Sequence, residues 1–241
     1  MKQYLLVRVR LTTYFWIFFI FFLLLATVSP SFNFDRAALT LFSVNSFLYG
    51  FYIAPILAAQ KARIEELHRI VRAEANALFS IMLKFKKLPP KLRTELQSML
   101  SYYVKAKLRF KKATAGEQQY EDLIGYCLKY KGPHQEVIDK TPDALIANQQ
   151  NRTNFAMQMN NRIYTNEWQV LFILFSITLG FILVINVSDT LILDMVRALL
   201  CTGLTMLIFI LIKLSTLTHK KANEMWIPLQ KLRDTHFYRI D

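Results

Sequence analysis

Residues 37–59 read AALTLFSVNSFLYGFYIAPILAA, and 60–88 continue as QKARIEELHRIVRAEANALFSIMLKFKKL. The first stretch carries no charge. At about 1.5 Å of rise per residue, a helix of that length crosses a hydrocarbon core of about 30 Å. The second stretch is amphipathic. Ile64, Leu67, Ile70, Val71, Leu78, Ile81 and Met82 recur at helical spacing, while Lys61, Arg63, Glu65, Glu66, Arg69 and Arg72 take the other face. No glycine or proline falls between Pro55 and Pro89. The pattern predicts one helix that spans a membrane and runs on into water.

Three further spans follow from the same reading. Residues 11–28 (LTTYFWIFFIFFLLLATV) hold no charge and are followed by Pro30. Lys2, Arg8 and Arg10 before them resemble the charged start of a signal peptide. The apolar run is longer and more aromatic than a signal core, and no small-x-small cleavage site follows, so a retained anchor is expected. Residues 168–187 and 190–214 form two more spans, the last with Asp194 and Arg197 in its first turns, joined by a tight turn at Ser188–Asp189.

The chain has 241 residues, 54% of them hydrophobic, and a net charge of +13. In a soluble protein such a charge would suggest a nucleic-acid partner. Here Lys and Arg gather before residue 11, in 60–167 and after 214. With four spans, all three basic regions fall on one side. The positive-inside rule therefore predicts a multi-pass protein of the cell inner (plasma) membrane, with both termini and the middle segment cytoplasmic. The expected organisation is 1–59 with the first two spans, a helical region 60–167, spans 168–187 and 190–214, and a tail 215–241. The fold class is all-α, four transmembrane helices with a cytoplasmic helical bundle.

Within the middle segment, Pro89-Pro90 ends the long helix and starts another over 91–112. A helix over 118–130 follows, then Gly132-Pro133, and Pro142 fits the first turn of a last helix leading into the third span. Cys127 and Cys201 lie in unlike surroundings and are expected as free thiols.

No glycine-rich phosphate loop, HExxH, GxSxG or paired cysteines appear, and His68, His134, His219 and His236 have no metal-site spacing. No enzyme activity, metal or cofactor is expected. Glu65, His68 and Arg72 share a helix face that reads as salt-bridged and solvated. Lys105, Lys107, Arg109, Lys111 and Lys112 form a basic cluster. It is either ordinary positive-inside charge or a contact with anionic lipid.

The second span has two polar faces. Thr40, Ser43, Phe47, Gly50 and Ala54 are mostly small and are expected against a neighbouring helix. Asn45, Tyr49, Tyr52 and Ile56 either border a water-filled path or hydrogen-bond inside the bundle. Arg197 is expected to pair locally with Asp194, the alternative being an exposed cation that attracts anions.

The order of these parts resembles the bestrophin-like domain family of membrane proteins. The resemblance rests on Gly50-Phe51, Ala62-Arg63, Glu74-Ala75-Asn76-Ala77-Leu78, Leu88-Pro89, Tyr102-Tyr103-Val104, Arg152, Arg162 and Glu167-Trp168. Two departures stand out: Lys107-Leu108-Arg109 occupies the place of the family's Glu-Trp, and an Asp-Pro-Phe type motif near the last span is missing. The resemblance implies four spans with a helical bundle. Bestrophins themselves are pentameric anion channels whose second span lines a hydrophobic neck.

Two functions are therefore expected in competition. The first is a homo-oligomeric channel, pentameric if bestrophin-like, conducting inorganic anions. Its pore would be lined by Asn45, Phe47, Tyr49, Tyr52 and Ile56, with Arg36 and Arg197 raising the local anion concentration. The second is a non-conducting membrane scaffold or sensor whose helical bundle binds a partner. In it, Asn45 and Tyr49 hydrogen-bond within one chain.

Overall fold

A computed structural model describes residues 10–30, 32–185 and 191–234. The turn expected at Ser188–Asp189, together with Lys2, Arg8 and His236, lies outside them. The described residues hold helices and no β-strand, apart from a single bridge between Phe32 and Ile185. The helices are α1 (Leu11–Val28), α2 (Arg36–Phe85), α3 (Pro90–Phe110), α4 (Glu117–Lys129), α5 (Gln135–Asn160), α6 (Thr165–Val184), α7 (Leu191–Ser215), α8 (Lys220–Glu224) and α9 (Ile227–Asp234). Four of the helical stretches among them are long and apolar enough to cross a membrane.

α2 is one helix of 50 residues. Pro55 sits inside it, where the missing N–H breaks one backbone bond. The helix ends at the Pro89-Pro90 pair, and Pro90 begins α3 at a position where its ring costs nothing. α5 starts earlier than expected. Pro142 is not in its first turn but eight residues in, and is buried, because the chain turns into the helix at His134 in a left-handed conformation.

The chain divides into two units. The first comprises residues 10–62 and 162–220. In it α1 packs along α7. Phe22 of α1 meets Ile182 of α6 and Ala198 and Cys201 of α7. A second cluster joins Tyr49 and Ile53 of α2 to Leu171 of α6 and Ile208 and Leu211 of α7. α1 is apolar on every face, yet Trp16, Ile17, Ile20, Phe21 and Leu24 are exposed. A helix that is apolar all round belongs in a core or in lipid. Hydroxyls are spent on the backbone: Thr40, Ser43, Thr178, Thr202 and Thr205 each donate to the carbonyl four residues earlier.

The second unit comprises 63–161 and 221–234. α3 packs on α4, α4 on α5, and α9 on α3. Leu67, Leu78, Ile81 and Phe85 of α2 are buried in it, with Leu96 and Leu100 of α3, Leu123 of α4, Leu145 and Phe155 of α5 and Trp226. The segment expected as a simple tail thus supplies core: Trp226 packs edge-on against Phe155 at 5.6 Å, and Leu229 and Leu232 are buried. Gly116 caps α4 with φ of 79°, a left-handed backbone; a Cβ there would lie 2.7 Å from the Tyr103 ring.

Candidate functional site

Two groups of polar side chains are built into the helices, one in each unit.

In the first unit, α2 turns the Asn45 face inward. Asn45 Nδ2 donates to Thr178 Oγ1 at 2.8 Å and to the Leu174 carbonyl at 3.2 Å. Tyr49 is buried and its hydroxyl donates to the Leu204 carbonyl at 3.4 Å. Tyr52 and Ile56 pack on the same cluster. These four residues fasten α2 to α6 and α7. The face with Thr40, Ser43, Phe47, Gly50 and Ala54, expected against a neighbour, is exposed instead. An amide with a phenol gains more from hydrogen bonds inside the bundle than a small-residue stripe gains from close packing. Phe47 is 68% exposed and stacks on the equally exposed Phe51, their centroids 6.1 Å apart.

Arg197 is 7% exposed and its groups are spoken for. Nη1 pairs with Asp194 at 3.1 Å, the local pair the spacing predicts. Nε donates to the Ile182 carbonyl at 3.3 Å, and Nη2 donates to the Leu183 carbonyl. The last four carbonyls of a helix have no partner within it. At the end of α6 all four are met: Phe181 by the Ile185 N–H, Ile182 and Leu183 by Arg197, and Val184 by the Phe32 N–H. Arg197 is therefore a cap rather than an anion attractor. Arg36, at the start of α2, is exposed.

Arg63 does the same in the second unit. It is 4% exposed and donates to the Gln158 carbonyl at 2.7 Å and the Met159 carbonyl at 2.9 Å, at the end of α5. A cation at the negative end of a helix is favourable as well as a donor. At the start of α6, the Glu167 carboxylate accepts from the Tyr164 N–H at 3.0 Å.

The second group lies at the centre of the second unit. Glu74 of α2 is wholly buried and accepts from Lys107 Nζ, at 2.5 Å to Oε1 and again through Oε2, and from the Tyr103 hydroxyl. Lys107 also lies 4.9 Å from the Phe155 ring centroid. Arg152 of α5 stacks over Tyr120 at 4.1 Å and bonds Gln149 Oε1 at 2.7 Å. The Tyr120 hydroxyl donates to the Leu145 carbonyl at 2.7 Å and accepts from Asn148. The Glu74 carboxylate thus pairs with Lys107 in a water-poor core, where Arg152 lies 5.6 Å from the Tyr103 ring centroid.

Burial pushes the Tyr103 phenol well above its usual range, with the Glu74 carboxylate adding to the shift. Burial also lowers the Lys107 ammonium against the pull of Glu74. Tyr120 is raised to about 12 and the Cys127 thiol to about 11, both by burial. Every group here is held by its neighbours. The arrangement locks α2, α3, α4 and α5 together and leaves no acid or base facing open space.

The expected basic cluster accordingly splits. Lys105, Arg109, Lys111 and Lys112 are exposed, but Lys107 is 1% exposed and cannot touch lipid. The reason is its place on the buried stripe of α3, one turn after Tyr103. The expected Glu65–His68–Arg72 face pairs differently too. Glu66 and Arg69 form the ion pair at 2.6 Å, while His68 Nε2 meets the Lys221 carbonyl at 2.7 Å. Among the described residues no cluster of His, Cys, Asp and Glu could hold a metal, and Cys127 and Cys201 are free and buried.

Sequence reasoning missed the Glu74–Lys107–Arg152 core. The signal was present: Glu74 lies between Val71 and Leu78, Lys107 after Leu100 and Tyr103, and Arg152 between Leu145 and Phe155, each on an apolar stripe where a charge has no reason to be unless paired.

Fold and sites together define a class: all-helical chains with four apolar helices of membrane-crossing length and a second unit built around buried charge. No family model, curated protein or solved structure matches this chain.

Proposed function

We propose that this chain is a four-span integral membrane protein of the inner membrane that acts as a non-conducting scaffold or sensor, its cytoplasmic helical unit binding a partner. The observation that carries this reading is Asn45, whose amide is spent on Thr178 and Leu174 within one chain. Tyr49 is spent likewise on Leu204. Polar groups used to hold a protomer together are not available to replace the hydration shell of a passing ion. The basic segments set the orientation, with 60–167 and both termini in the cytoplasm. The bestrophin-like resemblance supports the architecture of spans plus helical bundle.

The test is reconstitution of the purified protein in a planar bilayer, with voltage, pH and calcium varied. The expected result is no conductance above that of the empty bilayer. Reproducible anion currents would overturn the reading.

One observation favours a second reading. Phe47 and Phe51 form a stacked aromatic pair on the exposed face of α2. In an oligomeric anion channel, copies of this face around a shared axis would form a hydrophobic neck that gates by dewetting. Under that reading Phe47→Asn raises conductance, and the detergent-solubilised protein is an oligomer. A monomer excludes a shared pore.

A further inference from the structure

In the first unit, α2, α6 and α7 enclose a cavity of about 430 Å³. Phe42, Phe181, Ile182, Val196, Leu200 and Leu204 give it apolar walls, and among the described residues only Ser46, Thr178 and Arg197 add polar groups to the lining. We propose that this cavity binds an uncharged molecule with an apolar body and one hydrogen-bonding oxygen, which the Ser46 hydroxyl engages. The binding rests on the cavity alone; a bilayer origin for the ligand rests on the membrane reading proposed above.

The other hydroxyls of the spans show what is missing at Ser46. Thr40, Ser43, Thr178, Thr202 and Thr205 each donate to the carbonyl four residues earlier. Ser46 Oγ makes no such bond. Among the described residues it is the one buried side-chain oxygen or nitrogen without a hydrogen-bond partner. A buried hydroxyl left unpaired is unfavourable, and native structures hold few of them. The remaining polar groups of the wall are in use. Thr178 Oγ1 donates to the Leu174 carbonyl at 2.8 Å and accepts from Asn45 Nδ2 at 2.8 Å. Each guanidinium nitrogen of Arg197 already donates to a neighbour.

Water does not meet this need. A buried water makes about three hydrogen bonds, and here Ser46 is the one partner on offer. A charged ligand would lie among apolar side chains with no free counter-charge. A hydrocarbon would fill the space and leave the hydroxyl unpaired. A carbonyl or hydroxyl oxygen on an apolar body satisfies both parts of the lining at once. The volume falls within the range of about 300–1,000 Å³ usual for small-molecule sites. Val196 and Leu200 are 46% and 53% exposed, so a ligand can enter beside them from the surface of the helices. Thr178 both lines the cavity and holds Asn45, so an occupant lies beside the bond that fastens α2 to α6.

The experiment titrates the full chain in detergent with para-fluoroacetophenone and follows binding by fluorine NMR. The control of like shape is para-fluoro-α-methylstyrene, in which a methylene replaces the carbonyl oxygen. The preference of the protein for the ketone over the control should fall by about threefold to tenfold in Ser46→Ala, the worth of one neutral hydrogen bond. Partition into the micelle is common to both proteins and cancels in that comparison. Without ligand, Ser46→Ala should melt no lower than the wild type, because it removes an unpaired buried hydroxyl. Leu200→Trp, which adds a bulky ring to the wall, should abolish binding of both probes. A preference for the ketone that survives Ser46→Ala, a lower melting temperature of that variant without ligand, binding indifferent to Leu200→Trp, or no binding beyond micelle partition would each overturn the proposal.

The same chemistry has two sources, a small solute and a long-chained component of the bilayer. A second arm separates them with para-fluorododecanophenone, the same ketone on a long chain. Displacement of para-fluoroacetophenone by it assigns the cavity to a bilayer component whose chain leaves past Val196 and Leu200. Failure to displace assigns it to a small solute. Retention of the chain in membranes washed with alkaline carbonate checks the membrane reading separately.

Discussion

The Glu74–Lys107 pair lends itself to a double-mutant cycle with Glu74→Gln, Lys107→Met and the double variant. Both side chains are buried, and Arg152 is a second cation in the same core. Removing one partner of a buried pair strands the other, at a cost of about 3–5 kcal/mol. Glu74→Gln leaves Lys107 buried without its carboxylate, with Arg152 a second cation in the same core. Lys107→Met leaves a buried carboxylate held by the Tyr103 hydroxyl. The double variant strands neither, since the glutamine oxygen still accepts from Tyr103 and methionine fills the space of the lysine stem. It should be no less stable than the weaker single variant, which requires a coupling energy of about 3 kcal/mol or more. Cys127 reports on this unit because it is wholly buried in α4 and its thiol is pushed up to about 11. In a Cys201→Ala background, labelling of Cys127 by a thiol reagent follows opening of the unit. Each single variant should speed labelling by roughly two to three orders of magnitude, at 1.4 kcal/mol per tenfold. Additive single effects, within about 0.5 kcal/mol, would refute the reasoning and make Glu74 and Lys107 independent space-fillers.

Arg197→Leu uncaps the Ile182 and Leu183 carbonyls and strands Asp194; a loss of about 3 kcal/mol or more is expected, read as a lower melting temperature in detergent, with Arg197→Lys recovering part of it. Asn45→Leu removes the two hydrogen bonds to α6 and should cost about 1 kcal/mol by the same melt, a small effect because intramembrane hydrogen bonds are individually modest. Alkaline pH should loosen the second unit. Tyr120 keeps its proton to about 12 when folded but releases it near 10 when unfolded, so the folded state holds more protons in that window and stability falls as pH rises through it. The loss from Tyr120 reaches about 2.3 kcal/mol at pH 12, Tyr103 acts with the same sign, and a step in tyrosinate absorbance near 295 nm should coincide with the loss of helix.

The spans were legible in the sequence because an uncharged run of membrane-crossing length has few other meanings. The long α2 was legible as well, since nothing between Pro55 and Pro89 interrupts its period. Two features of its first half were not. Periodicity shows that Asn45 and Phe47 lie on different faces, but which face meets α6 depends on hydroxyl and carbonyl partners at Thr178 and Leu174, far along the chain. The polar residues of the second unit were hidden for a similar reason. Lys107 belongs by sequence to a run of lysines and arginines, and only a stripe count along α3 sets it beside Leu100 and Tyr103 rather than beside Lys105 and Arg109. The helices after Ser215 were missed because α8 has 5 residues and α9 has 8, too short for a period to declare itself.

Several of the residues that carried the family resemblance are built into the helices. Glu74 and Tyr103 share a hydrogen bond in the core, Arg152 lies over Tyr120 beside them, Arg63 caps α5, and Glu167 caps α6. Leu88 is buried at the end of α2, and Ala75 lies against the same core. Glu74, Tyr103, Arg152, Arg63, Leu88 and Ala75 are all buried. The polar ones each satisfy a backbone group or a buried charge that would otherwise cost about 1–3 kcal/mol or more. Motifs of this kind hold a helical architecture together whatever it is used for. A shared architecture is therefore what the buried part of such a resemblance can carry. The exposed face of the second span, with Phe47 and Phe51, is a separate matter. The planar-bilayer experiment addresses that face directly, because Phe47→Asn alters a conductance only if Phe47 lines a shared axis.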